Sequence, residues 1–377
     1  MTFDIIGAGI GGLTTAIALK QKGFNFHIYE QSEKIKFVGA GIILANNAMQ
    51  VFDQLGLKKV IEENGQPISA LNITNGKLKV LSTINLTHFE KKHPIKNIAI
   101  HRGTLQELLI EHLGHHTIEL NHKLNTIKQS DHGQVLQFEN GKNIESQQII
   151  GSDGLNSIVR QQLFPNNKIR NAKQVCWRGI THYSLPLKFR HELNEVWAKN
   201  ARFGFVQIAE NTVYWYLLKT FKTHRGEHKL DGLSAAFKND APLLMALIDS
   251  TEKSKIHEAE ISDLKPTKTW YNQNACLIGD AAHAATPNMG QGACQAIEDA
   301  FTLTACLNKF APYEAYKTYQ NLRIKKAHSV VNDSWKIGKI AHLSNPFLTT
   351  LRNQMMRMTP SKIGQNKTEQ LFKLSEA

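Results

Sequence analysis

The spacing of apolar and polar positions changes several times along the chain, and each change predicts an element. Thr2 to Ile6 reads as a short buried strand that runs into glycines. From Gly11 to Gln21 the apolar positions Leu13, Ile17 and Ala18 take the helical period, and Gly23 stops it. Phe26 to Tyr29 supplies a second strand, so the first thirty residues form a βαβ unit that closes at Glu30. Leu105 to Leu113 is helical in period. Ile118 to Ile127 and Val135 to Phe138 read as strands leading to Gln148–Ile150. Between about 175 and 269 the pattern alternates, as in Phe203 to Ile208 and Val213 to Leu218, before a helix near 232–249. A buried strand returns at Ala275 to Ile278 and feeds a glycine-rich turn and a helix from Gly292 to Leu307. The βαβ-type elements thus flank a sheet-rich insert. The tail from Ile340 to Met358 carries Ile340, Leu343, Phe347, Leu348, Leu351, Met355 and Met358 at amphipathic spacing with Arg352 and Arg357 between them, and docking across the two domains is its expected use, with a dimer contact or a membrane-surface patch as sharper readings.

Length and charge narrow the class. A chain of 377 residues with 41% apolar side chains exceeds the size at which one core usually divides, so two interleaved domains are expected. Its 45 Lys+Arg against 32 Asp+Glu leave a formal charge of +13, which suits anionic partners. The cations come in short scattered groups, Lys34/Lys36, Lys91/Lys92 and Lys325/Lys326, so no nucleic-acid footprint is expected. Cys176, Cys276, Cys294 and Cys306 form neither a C-x-x-C pair nor a zinc spacing with histidine, which predicts buried reduced thiols and no metal. No signal-peptide pattern or transmembrane-length run occurs, so a cytosolic protein is expected.

Two segments carry chemistry. Gly7-Ala8-Gly9-Ile10-Gly11-Gly12 satisfies G-x-G-x-x-G between a strand and a helix: Gly7 for the tight turn, Gly9 for close approach of a pyrophosphate, Gly12 for helix–strand packing. The helix start offers N–H groups to the anion, and Glu30, 18 residues beyond Gly12, is placed for ribose hydroxyls. This alone leaves FAD and NAD both open. The second segment separates them. Gly279-Asp280 ends a strand and Gly290-Gln291-Gly292 opens a helix, so Asp280 can accept from ribityl or ribose hydroxyls while the helix start faces the pyrimidine edge of a flavin. His283, Glu298 and Asp299 fit packing, capping or solvated roles equally well and stay outside the catalytic set.

With GAGIGG at 7–12, Gly151-Ser152-Asp153-Gly154 running to Arg160, and GDAAH...P...GQG over 279–292, the chain resembles the flavoprotein aromatic hydroxylases, or class A flavin monooxygenases, up to about residue 335. The resemblance implies an α/β fold, with a Rossmann-like FAD-binding domain (1–70, 97–172 and 270–335) interleaved with a sheet-rich substrate domain (71–96 and 173–269) and a C-terminal helical segment (336–377). It implies FAD as cofactor and NAD(P)H as a transient co-substrate, consistent with the lack of a second G-x-G-x-x-G. Through it Gly39-Ala40-Gly41-Ile42 and Leu44 are expected beside the flavin, Arg102 at its pyrophosphate or ribityl part, and Leu124 at the adenine by its backbone. Gln31, which stands where the family often has arginine, belongs to the adenosine end, and Ser152 stands where alanine is commoner. Asp153 and Arg160 would shape the pyrophosphate and nicotinamide approach, with helix capping as the competing role for Asp153. Pro287, Gly290, Gln291, Gly292 and Ala293 would wall the place where substrate meets flavin.

Trp177-Arg178-Gly179 and the strands after it resemble the branch containing FAD-dependent urate hydroxylase, salicylate hydroxylase and zeaxanthin epoxidase. Arg202 and Tyr214 match a substrate-site arginine and tyrosine of the urate enzyme and are the expected catalytic pair, Arg202 holding an oxyanion or carboxylate and Tyr214 orienting the ring. An odd-numbered loop such as Ala209-Glu210-Asn211 would set them on one face of a hairpin; a two-residue turn would split them. The implied reaction is hydroxylation or epoxidation, with O2 and through a flavin hydroperoxide, of a small, electron-rich, aromatic or heterocyclic substrate, neutral or anionic. A tetracycline-inactivating monooxygenase, a reductase of the geranylgeranyl-reductase kind and a flavin-bearing protein without turnover are the rival readings. The oligomeric state stays open.

Overall fold

The computed structural model describes all residues except 36–38, 91–93, 115–116, 132, 165–166, 199–200, 224–232 and 376–377. Lys36, Lys91 and Lys92, and position 232 at the expected start of a helix, therefore lie outside the described residues.

The architecture is α/β, with the Rossmann-like part built on a parallel five-stranded sheet. Its order is Ala275–Leu277, Gln148–Gly151, Thr2–Ile6, Asn25–Tyr29, Ile118–Glu119. Parallel strands need covered faces, which explains the buried Phe3, Ile5 and Ile6; Asp4 between them is buried too and lies 3.1 Å from His27 Nδ1. The helices Ile10–Gln21, Arg102–Leu113 and Gly292–Leu307 pack together over this sheet. The segment 118–127, which the periodicity reads as one strand, is two: Asn121 has φ 57°, and the second strand, Leu124–Ser130, joins a separate antiparallel sheet.

The insert is a seven-stranded sheet in the order His257–Leu264, Ile169–His182, Thr212–Thr220, Ala201–Ala209, Glu192–Ala198, Ala70–Thr74, Val80–Asn85. One face is an apolar core of Trp177, Phe203, Phe205, Trp215 and Leu217, covered by the helix Pro242–Asp249, with Phe203 stacked on Trp215 at 5.7 Å. The helix expected near 232–249 is a short 3-10 turn, Ser234–Phe237, followed by that helix, whose first residue is proline. The opposite face carries polar residues and turns toward the Rossmann-like part.

The tail departs from its expected form. A 30-residue helix, Pro312–Ala341, ends at His342, and a new helix, Pro346–Met358, starts under an Asn345 cap that accepts from Phe347 N and Leu348 N. A third helix, Ser361–Phe372, follows. The expected docking of the apolar row is overturned: Phe347, Leu348, Leu351, Met355 and Met358 all face outward. Among the described residues no helix is long and apolar enough to cross a membrane. All four cysteines are buried and free.

Candidate flavin and substrate site

The glycine-rich turn is shaped by what its residues lack. Gly7 has φ 105°, and a β-carbon there would lie 2.7 Å from the Ser152 carbonyl oxygen. At Gly12 it would collide with the Gly7 carbonyl, so both positions are tight against protein. At Gly9 it would meet nothing within 4 Å, so this residue borders open space, as a pyrophosphate approach requires. The helix that follows has no side-chain cap, leaving its first N–H groups for a ligand. Glu30 is held at the turn: Oε2 accepts from Ala8 N at 2.9 Å, and Oε1 accepts from Ser32 N and Oγ at 3.0 and 2.9 Å. A carboxylate accepts about four bonds and three are taken, so one acceptor site remains for a ribose hydroxyl. Gln31 is exposed beside it.

The second segment meets the first through buried bonds. Gly279, at φ 55°, donates its N–H to Asp299 Oδ2 at 2.9 Å, and the same carboxylate takes His283 Nε2 at 2.5 Å and, through Oδ1, Arg323 Nε at 2.8 Å. Burial pushes the Asp299 carboxyl up, but His283 and Arg323 outweigh it and hold the group ionised far below the usual range. Arg323 also pairs with Glu298, which Lys326 bonds as well. His283, Glu298 and Asp299 thus form a buried brace under the turn, and the solvated role is ruled out. Arg160, also buried, donates to Ala281 O at 2.9 Å and to Leu155 O, tying the 151–160 segment to this turn. Asp153 Oδ2 accepts from Ile158 N and Val159 N, the capping role, while its Oδ1 is buried without a partner among the described residues. Burial raises the Asp153 carboxyl.

Asp280 is different. It has no hydrogen-bond partner among the described residues and stays open to solvent, yet the surrounding protein raises its carboxyl, with His283 and Arg102 pulling the other way. Arg102 is also exposed and unpartnered among the described residues. Gly292 opens its helix beside Asp280 without a side-chain cap: a β-carbon there would lie 3.8 Å from Asp280 Oδ1. Pro287 and Gly290 are exposed on the loop before it, Gly290 left-handed at φ 62° with open space around it, and Ala293 is half-buried; Gln291 turns inward to Asn47 and Gln295. Recessed but reachable polar groups, an uncapped helix start and an unpaired cation fit a dinucleotide bearing phosphates and hydroxyls. Gly41–Leu44 lies against this helix, with the Cys294 thiol donating to Ile43 O. The side chains of Leu44 and Leu124 are core, so only their backbones can meet a ligand.

The polar face of the seven-stranded sheet closes the other side. A two-residue turn, Glu210-Asn211, joins the hairpin, yet Arg202 and Tyr214 share a face. Ala209 pairs with Thr212 and Gln207 with Val213, so Ile208 is an extra bulge residue that restores the parity the turn would have broken. Tyr214 packs on Gly41, where any β-carbon would overlap its ring. Burial raises the Tyr214 phenol well above its ordinary range.

Arg202 is not the open fork expected of it. It is 1% exposed, and Nε and Nη2 both bond the Glu195 carboxylate while Nη1 bonds Asn288 Oδ1. Glu195 also accepts from Tyr216 Oη and Trp197 Nε1, both at 2.5 Å. Burial pushes the Glu195 carboxyl up, but Arg202 and these bonds hold it low. Asn288 belongs to the 287–292 loop, so Arg202 fastens the sheet to that loop. Arg178 also faces this side: it is half-buried, its Nε has no partner among the described residues, and it pairs across the sheet with Tyr216, on the same face as Tyr214. Its position between Trp177 and Gly179 was visible in sequence; the unpartnered Nε was not.

The FAD binding domain family matches residues 2–334, and the chain belongs to it. The chain is 34% identical, over 96% of its length and 95% of the relative, to the aurachin C monooxygenase/isomerase of Stigmatella aurantiaca. It is 29% identical to the 2-heptyl-3-hydroxy-4(1H)-quinolone synthase of Pseudomonas aeruginosa, over 99% of this chain and 98% of that one. HpxO of Klebsiella pneumoniae, solved with FAD and uric acid, shares the fold at TM-score 0.90 and 23% identity, over 99% of this chain and 96% of that one. The protein is an enzyme, an FAD-dependent monooxygenase of the class A flavoprotein hydroxylase kind. The reading as a flavin protein without turnover is set aside.

Proposed function

We propose that this enzyme uses NAD(P)H and O2 to hydroxylate a small electron-rich heterocycle of the 4(1H)-quinolone type. The balance is substrate C–H, O2, NAD(P)H and a proton in; substrate C–OH, NAD(P)+ and water out. The chemistry FAD supplies when bound is acceptance of the nicotinamide hydride and transfer of one oxygen atom of O2. Gly7, Gly9, Gly12, Glu30, Arg102, Asp280 and the start of the Gly292 helix are the residues that would hold it.

The observation that carries the substrate reading is the half-buried Arg178, whose Nε has no partner among the described residues, on the face that Tyr214 shares. A quinolone carbonyl oxygen, or the oxyanion of its enol form, accepts from such a fork. The carbon next to that carbonyl is the electron-rich one. Tyr214, held protonated, stays a hydrogen-bond donor across the working pH range. Arg202 acts as a positioning residue through Asn288. The name of one relative, 2-heptyl-3-hydroxy-4(1H)-quinolone synthase, supports the same ring class.

The test follows NAD(P)H loss, O2 uptake, peroxide and product with 4(1H)-quinolones and with urate, salicylate and tetracycline. Quinolone-stimulated NAD(P)H oxidation with hydroxylated product is the expected outcome. Arg178→Ala should keep its flavin and raise KM about tenfold or more, for the loss of a charge-assisted hydrogen bond. No stimulation by any quinolone would overturn the substrate class, and an unchanged KM would remove Arg178 from it.

A further inference from the structure

Of the thirteen exposed large apolar side chains among the described residues, seven lie between Ile340 and Ile363. The helix Pro346–Met358 is built the reverse of a packing helix. Phe347, Leu351, Met355 and Met358, spaced at three and four residues, form a stripe that is 74%, 44%, 62% and 82% exposed. Its inward side is polar: Arg352 is buried, donates to Ile340 O and Ala341 O at 3.2 and 3.0 Å, and lies over the Trp197 ring at 5.1 Å. That inward side already has its protein partner; the apolar stripe is left largely to solvent.

Charge says what could cover it. From Ser334 to Thr368 the chain has no Asp or Glu, while Lys336, Lys339, Arg352, Arg357, Lys362 and Lys367 all fall there. Apart from Arg352 these cations are exposed; Lys336 pairs with Asp333, which just precedes the segment. In a symmetric dimer the patch would meet its own copy, so the same acid-free, cationic segment would face itself. An anionic bilayer surface offers both complements at once, hydrocarbon for the stripe and phosphates for the cations.

We propose that the helix Pro346–Met358 and its flanking lysines and arginines form a docking surface for an anionic phospholipid membrane, with the helix lying in the plane of the interface. Thirteen residues give a helix of roughly 20 Å, ample for such a contact and too short to span. Arg352 over Trp197, and Trp197 bonded to the Glu195 partner of Arg202, set this surface one layer from the polar face of the substrate sheet. The proposal stands whether or not the substrate is a quinolone.

The experiment is sedimentation of the FAD-loaded, full-length protein with vesicles of phosphatidylglycerol and phosphatidylcholine, and with phosphatidylcholine alone. Binding is expected only to the mixed vesicles and should fall as salt is added. The double change Leu351→Ser with Met355→Ser should weaken it about tenfold, and Arg357→Glu with Lys362→Glu by a similar factor. Flavin content checks the fold of both variants. Failure of the wild type to bind, or binding that neither variant weakens, overturns the proposal. A lipid-free dimer by light scattering that the Leu351/Met355 variant dissociates overturns it in favour of self-association.

Discussion

Around Gly7 and Gly12 the chain leaves no room for a side chain, and what it offers a ligand is backbone N–H and open space; across the polar face of the seven-stranded sheet it offers side chains and little backbone. The first wall is fixed by local geometry over a few residues. The second depends on which residues from distant strands arrive together and on which of them already satisfy one another. Arg202 and Arg178 stand two strands apart on the same face, but Glu195 and Asn288 occupy one and leave the other. A cation on a substrate sheet is therefore not a substrate residue until its partners have been counted.

The largest expected effect tests that count. Arg202→Ala leaves Glu195 buried opposite no cation, which should cost about 3–5 kcal/mol of stability. Denaturant midpoints of the apoprotein measure it without substrate. Adding Glu195→Gln should recover part of the loss. A decrease below about 1 kcal/mol would mean that the Arg202 pair is not structural.

A smaller effect, specific to acid, comes from His342. It is buried, its Nδ1 lies 2.9 Å from Gly338 O, and its Nε2 has no partner among the described residues. Burial first, and then the Arg202 charge, lower its pKa from 6.5 to about 4. The unfolded chain therefore takes up the proton at higher pH than the folded one. The native state loses nothing above pH 6.5, loses stability as pH falls from there to about 4, and loses no more below. The total is up to about 3 kcal/mol. His342→Gln should flatten that limb of the stability curve; parallel curves for the two proteins would refute the assignment.

On the flavin wall Asp280→Ala should weaken FAD binding by roughly 1.5–3 kcal/mol, the range for a hydrogen bond to a charged group. Because Asp280 bonds nothing else among the described residues and the surrounding protein raises its carboxyl, the apoprotein should unfold at no lower a denaturant concentration than wild type. A lowered midpoint would mean that it braces the turn. Gly9→Ala sharpens the point: the new methyl meets nothing, so it too should spare the fold and reduce flavin content.

The difference between the walls also explains what could be read from sequence. GAGIGG and GDAAH...GQG were legible because each glycine answers a steric demand made by its own neighbours. The brace of His283, Glu298, Asp299 and Arg323 was not, since its arginine lies 24 residues from Asp299 on another helix. Nor was the occupancy of Arg202, whose partner belongs to the adjacent strand. In the tail the period of the apolar row was legible; the break was missed, although Asn345-Pro346 signals it. The side that faces the protein was not: that was decided by Arg352 reaching the carbonyls at the end of the preceding helix, which turns the apolar stripe outward.

The smallest effect lies in the turn that sets Arg202 and Tyr214 on one face. Asn211 has φ 49°, a left-handed conformation that asparagine and glycine tolerate and other residues pay for by about 1–2 kcal/mol. Its carbonyl accepts from Tyr183 N at 2.8 Å, and the strands on either side pair from Ala201 with Lys219 to Ala209 with Thr212 around the Ile208 bulge. Asn211→Gly should therefore leave stability within about 1 kcal/mol of wild type and leave KM unchanged, because the turn and the Ile208 bulge both persist. Asn211→Val should lower the denaturant midpoint by an amount equivalent to about 1–2 kcal/mol, with KM still unchanged while the bulge holds. If Asn211→Val instead moves KM with little change in stability, the register itself has slipped by a residue, and the placement of Tyr214 beside Gly41 depends on this turn more than on the pairing of the strands.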